Sequence, residues 1–193
     1  MITTTQRLTL DEYLAYDDGS DRRYELVNGE RLPISLGTGK HGAIIKRLEK
    51  IFDAEAERGQ NSWTALARTV GLQSPRSERW DTVRIPDVSV LTSEQWEALQ
   101  EREAVIRLNE PPPLLVVEVV SELTKSTDYR AKRAEYSVLD IPEYWIVDPL
   151  VGKVTICLLL EGWYEATEYQ GQTVVQSSTF PELALAAETI LQG

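Results

Sequence analysis

Two acidic residues stand where apolar strand residues are expected. In "LLVVEVV", residues 114 to 120, Glu118 is the only polar side chain, and a carboxylate placed in an apolar interior is costly unless it is paired, neutralised or bound to a metal. In "VRIPDVSVL", Asp87 follows Pro86 and is flanked by Val83, Ile85, Val88 and Val90. Pro86 has no N–H to give to a sheet ladder, so it marks a strand irregularity, a common way to aim a side chain at a site. Two such acids on adjacent strands would converge, and close carboxylates cannot both stay ionised without a cation between them. Hard oxygen donors suit Mg²⁺ or Mn²⁺, which bind through one or two carboxylates while waters and a substrate phosphate complete the shell. A third group follows in "STDYRAKRAEY", where Tyr129, Lys132 and Tyr136 fall at i, i+3 and i+7 and share a helical face. Asp128 lies four residues before Lys132, whose side chain could point back at the strand ends.

The surrounding pattern supplies the elements that would hold these groups. "PPLLVVEVVS" is nearly continuous in apolar residues, as a central strand covered on both faces should be. "WTALARTVGLQ" and "TVRIPDVSVL" are expected as strands before it, with "TSEQWEALQEREAVI" as a helical excursion between the second and third strands. A helix at roughly 128 to 139 leads to a fourth strand in "EYWIVDP". Upstream, Thr9 is a plausible N-cap for the amphipathic "LDEYLAYDD", which should end by Gly19. Asn28-Gly29 predicts a hairpin over 23 to 35. "AIIKRLEKIFDAEAERG" carries Ile44, Ile45, Leu48, Ile51 and Phe52 at helical spacing, with Gly59 as the stop. From about residue 152 the chain changes to β-branched and aromatic runs with Gly at the turns, which predicts antiparallel hairpins, and "LALAAETIL" could close the chain as a helix or a strand. "GTGKHG" lacks the GxxxxGK[ST] spacing of a phosphate-binding loop.

Composition narrows the function classes. The 193 residues, 42% hydrophobic and 26% charged, fit one globular domain over 1–193. The lone Cys157 excludes an internal disulfide, and with one histidine it cannot build a structural zinc site. No window approaches 18 apolar residues and "MITTTQRLTLDEY" is unlike a secretion signal, so the expected location is the cytoplasm. A net charge of −11 argues against coating nucleic acid through bulk electrostatics. Any phosphate contact must be local or assisted by a cation.

The ordered set "RYELVNGE", a helix opening with His41, "IPDVSVL", "PPLLVVEVVSELT", "DYRAKRAEY" and "IPEYWIVDP" resembles the Uma family of restriction-endonuclease-like proteins, within the PD-(D/E)XK nuclease superfamily. The likeness runs from about Leu8 to the C-terminal hairpins. It implies an α/β (α+β) fold with a restriction-endonuclease-like αβββαβ core and a mixed central sheet, extended by an N-terminal hairpin and C-terminal antiparallel hairpins. It also implies a metal-dependent endonuclease acting on DNA, with Asp87 and Glu118 holding Mg²⁺ or Mn²⁺ and the backbone carbonyl of Val119 completing the coordination. The superfamily's lysine would stand at residue 120, which is valine here, and the matching cation is Lys132 on the next helix. His41, Glu25 and Glu30 also match family positions as possible accessory residues.

Plainer readings remain open for the same residues. Asp87 could cap a turn, Glu118 could form a structural ion pair with Lys132 or an arginine, and the whole could be a non-catalytic scaffold that binds or regulates a partner. Arg76, Arg79, Arg84, Lys125, Arg130 and Arg133 could form a basic rim for DNA, and Tyr144 and Trp145 are expected in the core. A homodimer is expected, since cutting both strands commonly pairs two active sites, and the apolar C-terminal hairpins could bury against a twin.

Overall fold

The computed structural model describes residues 7–20, 22–34, 37–77 and 80–192, without the side chains of 75–77. Two mixed sheets share the chain. The larger has six strands: β3 (Trp63–Ala67), β6 (Val88–Thr92), β8 (Leu115–Val119), β9 (Glu143–Asp148), β10 (Lys153–Leu160) and β11 (Trp163–Gln170). They lie side by side in the order β11-β10-β9-β8-β6-β3, antiparallel except for the β8–β9 pair. That parallel pair needs a crossover, which is supplied by a π-helical turn (Thr127–Lys132) running into α4 (Arg133–Val138).

The long helix α2 (Gly39–Arg58) covers one face of this sheet. Its Ile44, Ile45, Leu48 and Phe52 pack with Val88, Val117, Trp145 and the terminal helix α5 (Ala187–Gln192). Thr38 caps α2 by accepting from the His41 N–H. On the opposite face Leu91, Val116, Val120, Tyr144 and Ile146 pack against Tyr136 of α4 and Leu99 of α3 (Ser93–Leu99). Helix α2, strands β3, β6 and β8, the crossover helix and β9 thus form the expected αβββαβ arrangement.

The smaller sheet has the order β2-β1-β5-β4-β7, from β1 (Tyr24–Val27), β2 (Glu30–Pro33), β4 (Gly71–Ser77), β5 (Trp80–Arg84) and β7 (Val105–Ile106). Asn28 and Gly29 both take positive φ, 50° and 78°, as the primed hairpin turn between β1 and β2 demands. The short helix α1 (Leu10–Leu14) packs Leu10 on this sheet beside Leu26 and Val83, and closes a capping box between Thr9 and Glu12.

Several boundaries differ from the expectations. "TVRIPDVSVL" is two strands rather than one: β5 ends at Arg84, β6 begins at Val88, and they belong to different sheets. Pro86 lies in the gap, where its missing N–H breaks the ladder. "WTALARTVGLQ" divides likewise at 68–70, with Arg68 at φ +50°. Helix α1 stops at Leu14 rather than near Gly19, and the excursion after β6 is helical only to Leu99. Gly59 caps α2 with φ −77°, and the left-handed residue is Gln60 at φ +54°. The C-terminal hairpin is β10–β11, and "LALAAETIL" closes as helix only over Ala187–Gln192.

Candidate functional site

The ends of β6 and β8 meet between the two helical layers, and most of the buried charges among the described residues lie there. Asp87 lies just before β6, and its Oδ2 accepts the Val119 N–H at 2.8 Å, which ties the two strand ends together. Its Oδ1 lies 2.8 Å from the Arg68 guanidinium. From α2, His41 places Nε2 2.9 Å from the Val119 carbonyl oxygen and 3.5 Å from Asp87 Oδ2. Arg68 Nη2 lies 3.1 Å from His41 Nδ1. A guanidinium can only donate, so Nδ1 accepts and Nε2 carries the proton that goes to the Val119 carbonyl. Gly37 makes room for this ring, because a Cβ there would lie 2.6 Å from Nδ1.

Glu118 is 3% exposed and has partners for both oxygens. The Tyr136 hydroxyl donates to Oε1 at 2.6 Å, and Lys132 Nζ lies 2.8 Å from Oε2. Lys132 also lies 3.2 Å from Asp128 Oδ1 and 3.9 Å from Glu25 Oε1. One ammonium therefore serves three carboxylates. Glu25 arrives from β1 of the smaller sheet, where it also accepts the Ile85 N–H and pairs with Arg84. Arg84 in turn holds Glu135 of α4 through two hydrogen bonds.

Asp128, Lys132 and Tyr136 stand at four-residue intervals along the π turn and α4, so they share one helical face, and that face is buried. Tyr129, expected on that face from i, i+3 spacing, turns away and donates to Asp148 at 3.1 Å. Asp128 is 1% exposed, yet neither of its carboxylate oxygens accepts a hydrogen bond of good geometry. Burial pushes the Asp128 carboxyl upward and outweighs the Lys132 ammonium and the Thr124 hydroxyl, which favour the ionised form.

These groups perturb one another strongly. Burial drives Glu118 up to about 8, opposed by Lys132 and reinforced by Asp128, Asp87 and Glu25. Burial disfavours the Lys132 ammonium, but Glu118, Glu25 and Asp128 outweigh it and keep the amine protonated well beyond the ordinary lysine range. That upward direction is the firm one for the pair, because it follows from three carboxylates around a single ammonium. Asp87 behaves oppositely. Burial pushes it up, but His41, Arg68 and the Val119 N–H together pull it below its ordinary value. The Tyr136 hydroxyl is raised by burial and by Glu118, so it stays a donor.

The structure thus gathers Asp87, Glu118, Lys132, His41, Glu25 and the Val119 carbonyl. Glu30 is elsewhere: it pairs with Arg7 at 3.4 Å, where both side chains are exposed. The basic rim is also different from expectation. Arg84 is buried in the network, Arg133 donates to the Tyr164 carbonyl, and Lys125 and Arg130 are exposed. Arg79 and the Arg76 side chain lie outside the described residues. Tyr144 and Trp145 are fully buried, with the Tyr144 hydroxyl donating to the Asp128 carbonyl. Arg68 and the buried Asp128 were not legible as site residues: one sits in an ordinary turn and the other in a helix start rich in charge. The four-residue interval from Asp128 to Lys132 was the available signal.

Among the described residues, no three histidine, cysteine, aspartate or glutamate side chains form a ready metal cage. The donor set of Asp87, Glu118 and the Val119 carbonyl nevertheless suits a hard ion that takes one or two carboxylates and keeps waters. The shortage of positive charge around Glu118 and Asp128 fits such an ion.

Comparison with known proteins identifies the family and the fold. Residues 10–188 match the family Uma2, described as "Putative restriction endonuclease". An uncharacterized protein of Synechocystis sp. is 24% identical over 155 residues, spanning 80% of this chain and 82% of that protein. The crystal structure of a "putative nuclease belonging to DUF820" from Anabaena variabilis superimposes with a TM-score of 0.73 at 18% identity. That match covers 95% of this chain and 97% of the other, and it is a likeness of fold.

Proposed function

Because the chain belongs to the Uma2 family of restriction-endonuclease-like proteins, we propose that its sheet-end cluster hydrolyses phosphodiester bonds in DNA with the help of a divalent cation. The observation that carries the proposal is a single buried ammonium, Lys132, among the carboxylates of Glu118, Asp128 and Glu25, beside Asp87. Asp87, Glu118 and the Val119 carbonyl would hold Mg²⁺ or Mn²⁺. Such an ion supplies a nucleophilic water at neutral pH and neutralises charge on the scissile phosphate.

The protein's own groups have distinct tasks in this reading. Lys132 stays protonated, so it is no general base; it is a fixed positive charge that orients the nucleophile and stabilises developing negative charge. Tyr136 and Lys132 hold Glu118 in one rotamer, and Glu25 braces Lys132 from the second sheet. His41 fixes the Val119 carbonyl. With a net charge of −11 the DNA contact must be local. Lys125, just before the π turn, and Arg130, within it, are exposed cations that suit it. Two copies would cut both strands, and the β10–β11 tip, with Trp163 79% and Leu160 51% exposed, is the candidate contact between them.

A second reading has an observation of its own. Asp87 and Glu118 already have protein cations as partners, as a non-catalytic binding or regulatory scaffold would require. Calorimetric titration with Mn²⁺ separates the two. Saturable binding by the wild type that is lost in Asp87→Asn, followed by Mn²⁺-dependent nicking of supercoiled plasmid, is expected. Absence of binding both with and without a short DNA duplex would leave the scaffold.

A further inference from the structure

Arg68 combines three features that ordinary packing does not require. It occupies the turn between β3 and β4 with φ +50°, a left-handed conformation that is costly for a long side chain. Two backbone bonds hold it there: its N–H donates to the Asp87 carbonyl at 3.1 Å, and its own carbonyl accepts from Arg23 Nη1 at 2.8 Å. Its guanidinium then spans Asp87 Oδ1 and His41 Nδ1. The strained backbone aims a cation at the acid that the functional reading assigns to the metal.

Exposure distinguishes this arginine from its neighbours. The side chains of Arg84 and Lys132 are 2% and 6% exposed, whereas that of Arg68 is 33% exposed. A buried cation cannot leave its carboxylate without stranding a charge. Arg68 can, because solvent or a phosphate at the mouth of the site can receive its guanidinium. Its planar fork is also suited to two-point contact with phosphate oxygens.

We propose that Arg68 is a resident counter-ion of Asp87 that a divalent cation displaces, and that the freed guanidinium then binds a DNA backbone phosphate. Metal loading and substrate binding are thereby coupled through one side chain. This inference rests on the metal-assisted reading above.

The test measures binding rather than turnover. Mn²⁺ is titrated into wild-type protein, Arg68→Ala and Arg68→Lys, and the affinity of each for a short DNA duplex is then measured with Ca²⁺ present. Removing the competing cation should tighten Mn²⁺ binding in Arg68→Ala by roughly fivefold, the worth of an ion pair whose cation is partly exposed. Duplex affinity should fall by roughly tenfold, with Arg68→Lys between the two proteins. A merely structural arginine predicts the reverse sign, because losing a prop for Asp87 weakens metal binding. Unchanged or weaker Mn²⁺ binding in Arg68→Ala, beside a wild type that binds, overturns the displacement. Tighter Mn²⁺ binding with unaltered duplex affinity overturns the phosphate contact. If neither wild type nor variant binds Mn²⁺, with or without the duplex, the metal-assisted reading itself falls, and this inference with it. Should Arg68→Ala fold poorly, Arg68→Gly removes the same cation while accepting the left-handed backbone, and the same outcomes apply.

Discussion

Replacing Lys132 by methionine tests the electrostatic account of the site most directly. Methionine keeps most of the side-chain length and removes the ammonium, which leaves Glu118 and Asp128, both almost fully buried, without their shared counter-ion. Breaking a buried pair from one side costs about 3–5 kcal/mol. For a chain of this length each kcal/mol moves the melting temperature by about 2–4 °C, so a loss of roughly 6–20 °C is expected. The cost should depend on pH, because a carboxylate deprived of its cation can take up a proton instead. Glu118 is already raised to about 8 with Lys132 present. Without the ammonium it rises further, and the penalty is smaller at pH 5.5 than at pH 8.5. Urea denaturation of metal-free protein at both pH values measures this. Adding Glu118→Gln to Lys132→Met should recover at least about 1 kcal/mol relative to the sum of the single changes, since the two residues are in contact. A Lys132→Met protein within about 1 kcal/mol of wild type at pH 8.5, or one whose loss is the same at both pH values, would refute the idea that Lys132 neutralises these acids.

Two further outcomes follow from other parts of the site. Because the folded-state value of Glu118 lies above its ordinary 4.5, its contribution to stability is complete below that pH and is lost as the pH rises through about 8. Metal-free wild type should therefore lose stability against Glu118→Gln across that window in chemical denaturation, and a flat difference would show that Glu118 is not raised. At the mouth of α2, Gly37→Ala drives a Cβ into the His41 ring. It should cost about 1–3 kcal/mol and weaken Mn²⁺ binding in calorimetry. Gly42→Ala, with open space around its Cβ inside the same helix, should instead stabilise by about 0.5–1 kcal/mol.

Much of the architecture follows from local chemistry that the sequence displays. The apolar run at Leu115–Val119 reads as a covered strand, Asn28-Gly29 as a tight hairpin turn, and the spacing from Ile44 to Phe52 as a helix facing a core, and each is found. The two anomalous acids in those patterns, Asp87 and Glu118, were visible for the same reason: a charge interrupting an apolar period breaks a rule that each segment states by itself. Lys132 could be named from the resemblance, and its face with Tyr136 from spacing. The partners could not. Glu25 reaches Lys132 from a different sheet, and Arg68 reaches Asp87 because β3 ends in a left-handed turn. The interval from Asp128 to Lys132 puts the two on one helical face, but nothing in those residues says that this face is the buried one. Hydrophobic periodicity records whether a residue is buried, and it determined that these charges would need neutralising. Which charge neutralises which depends on the positions of strand ends brought together across two sheets, and only the tertiary structure decided that.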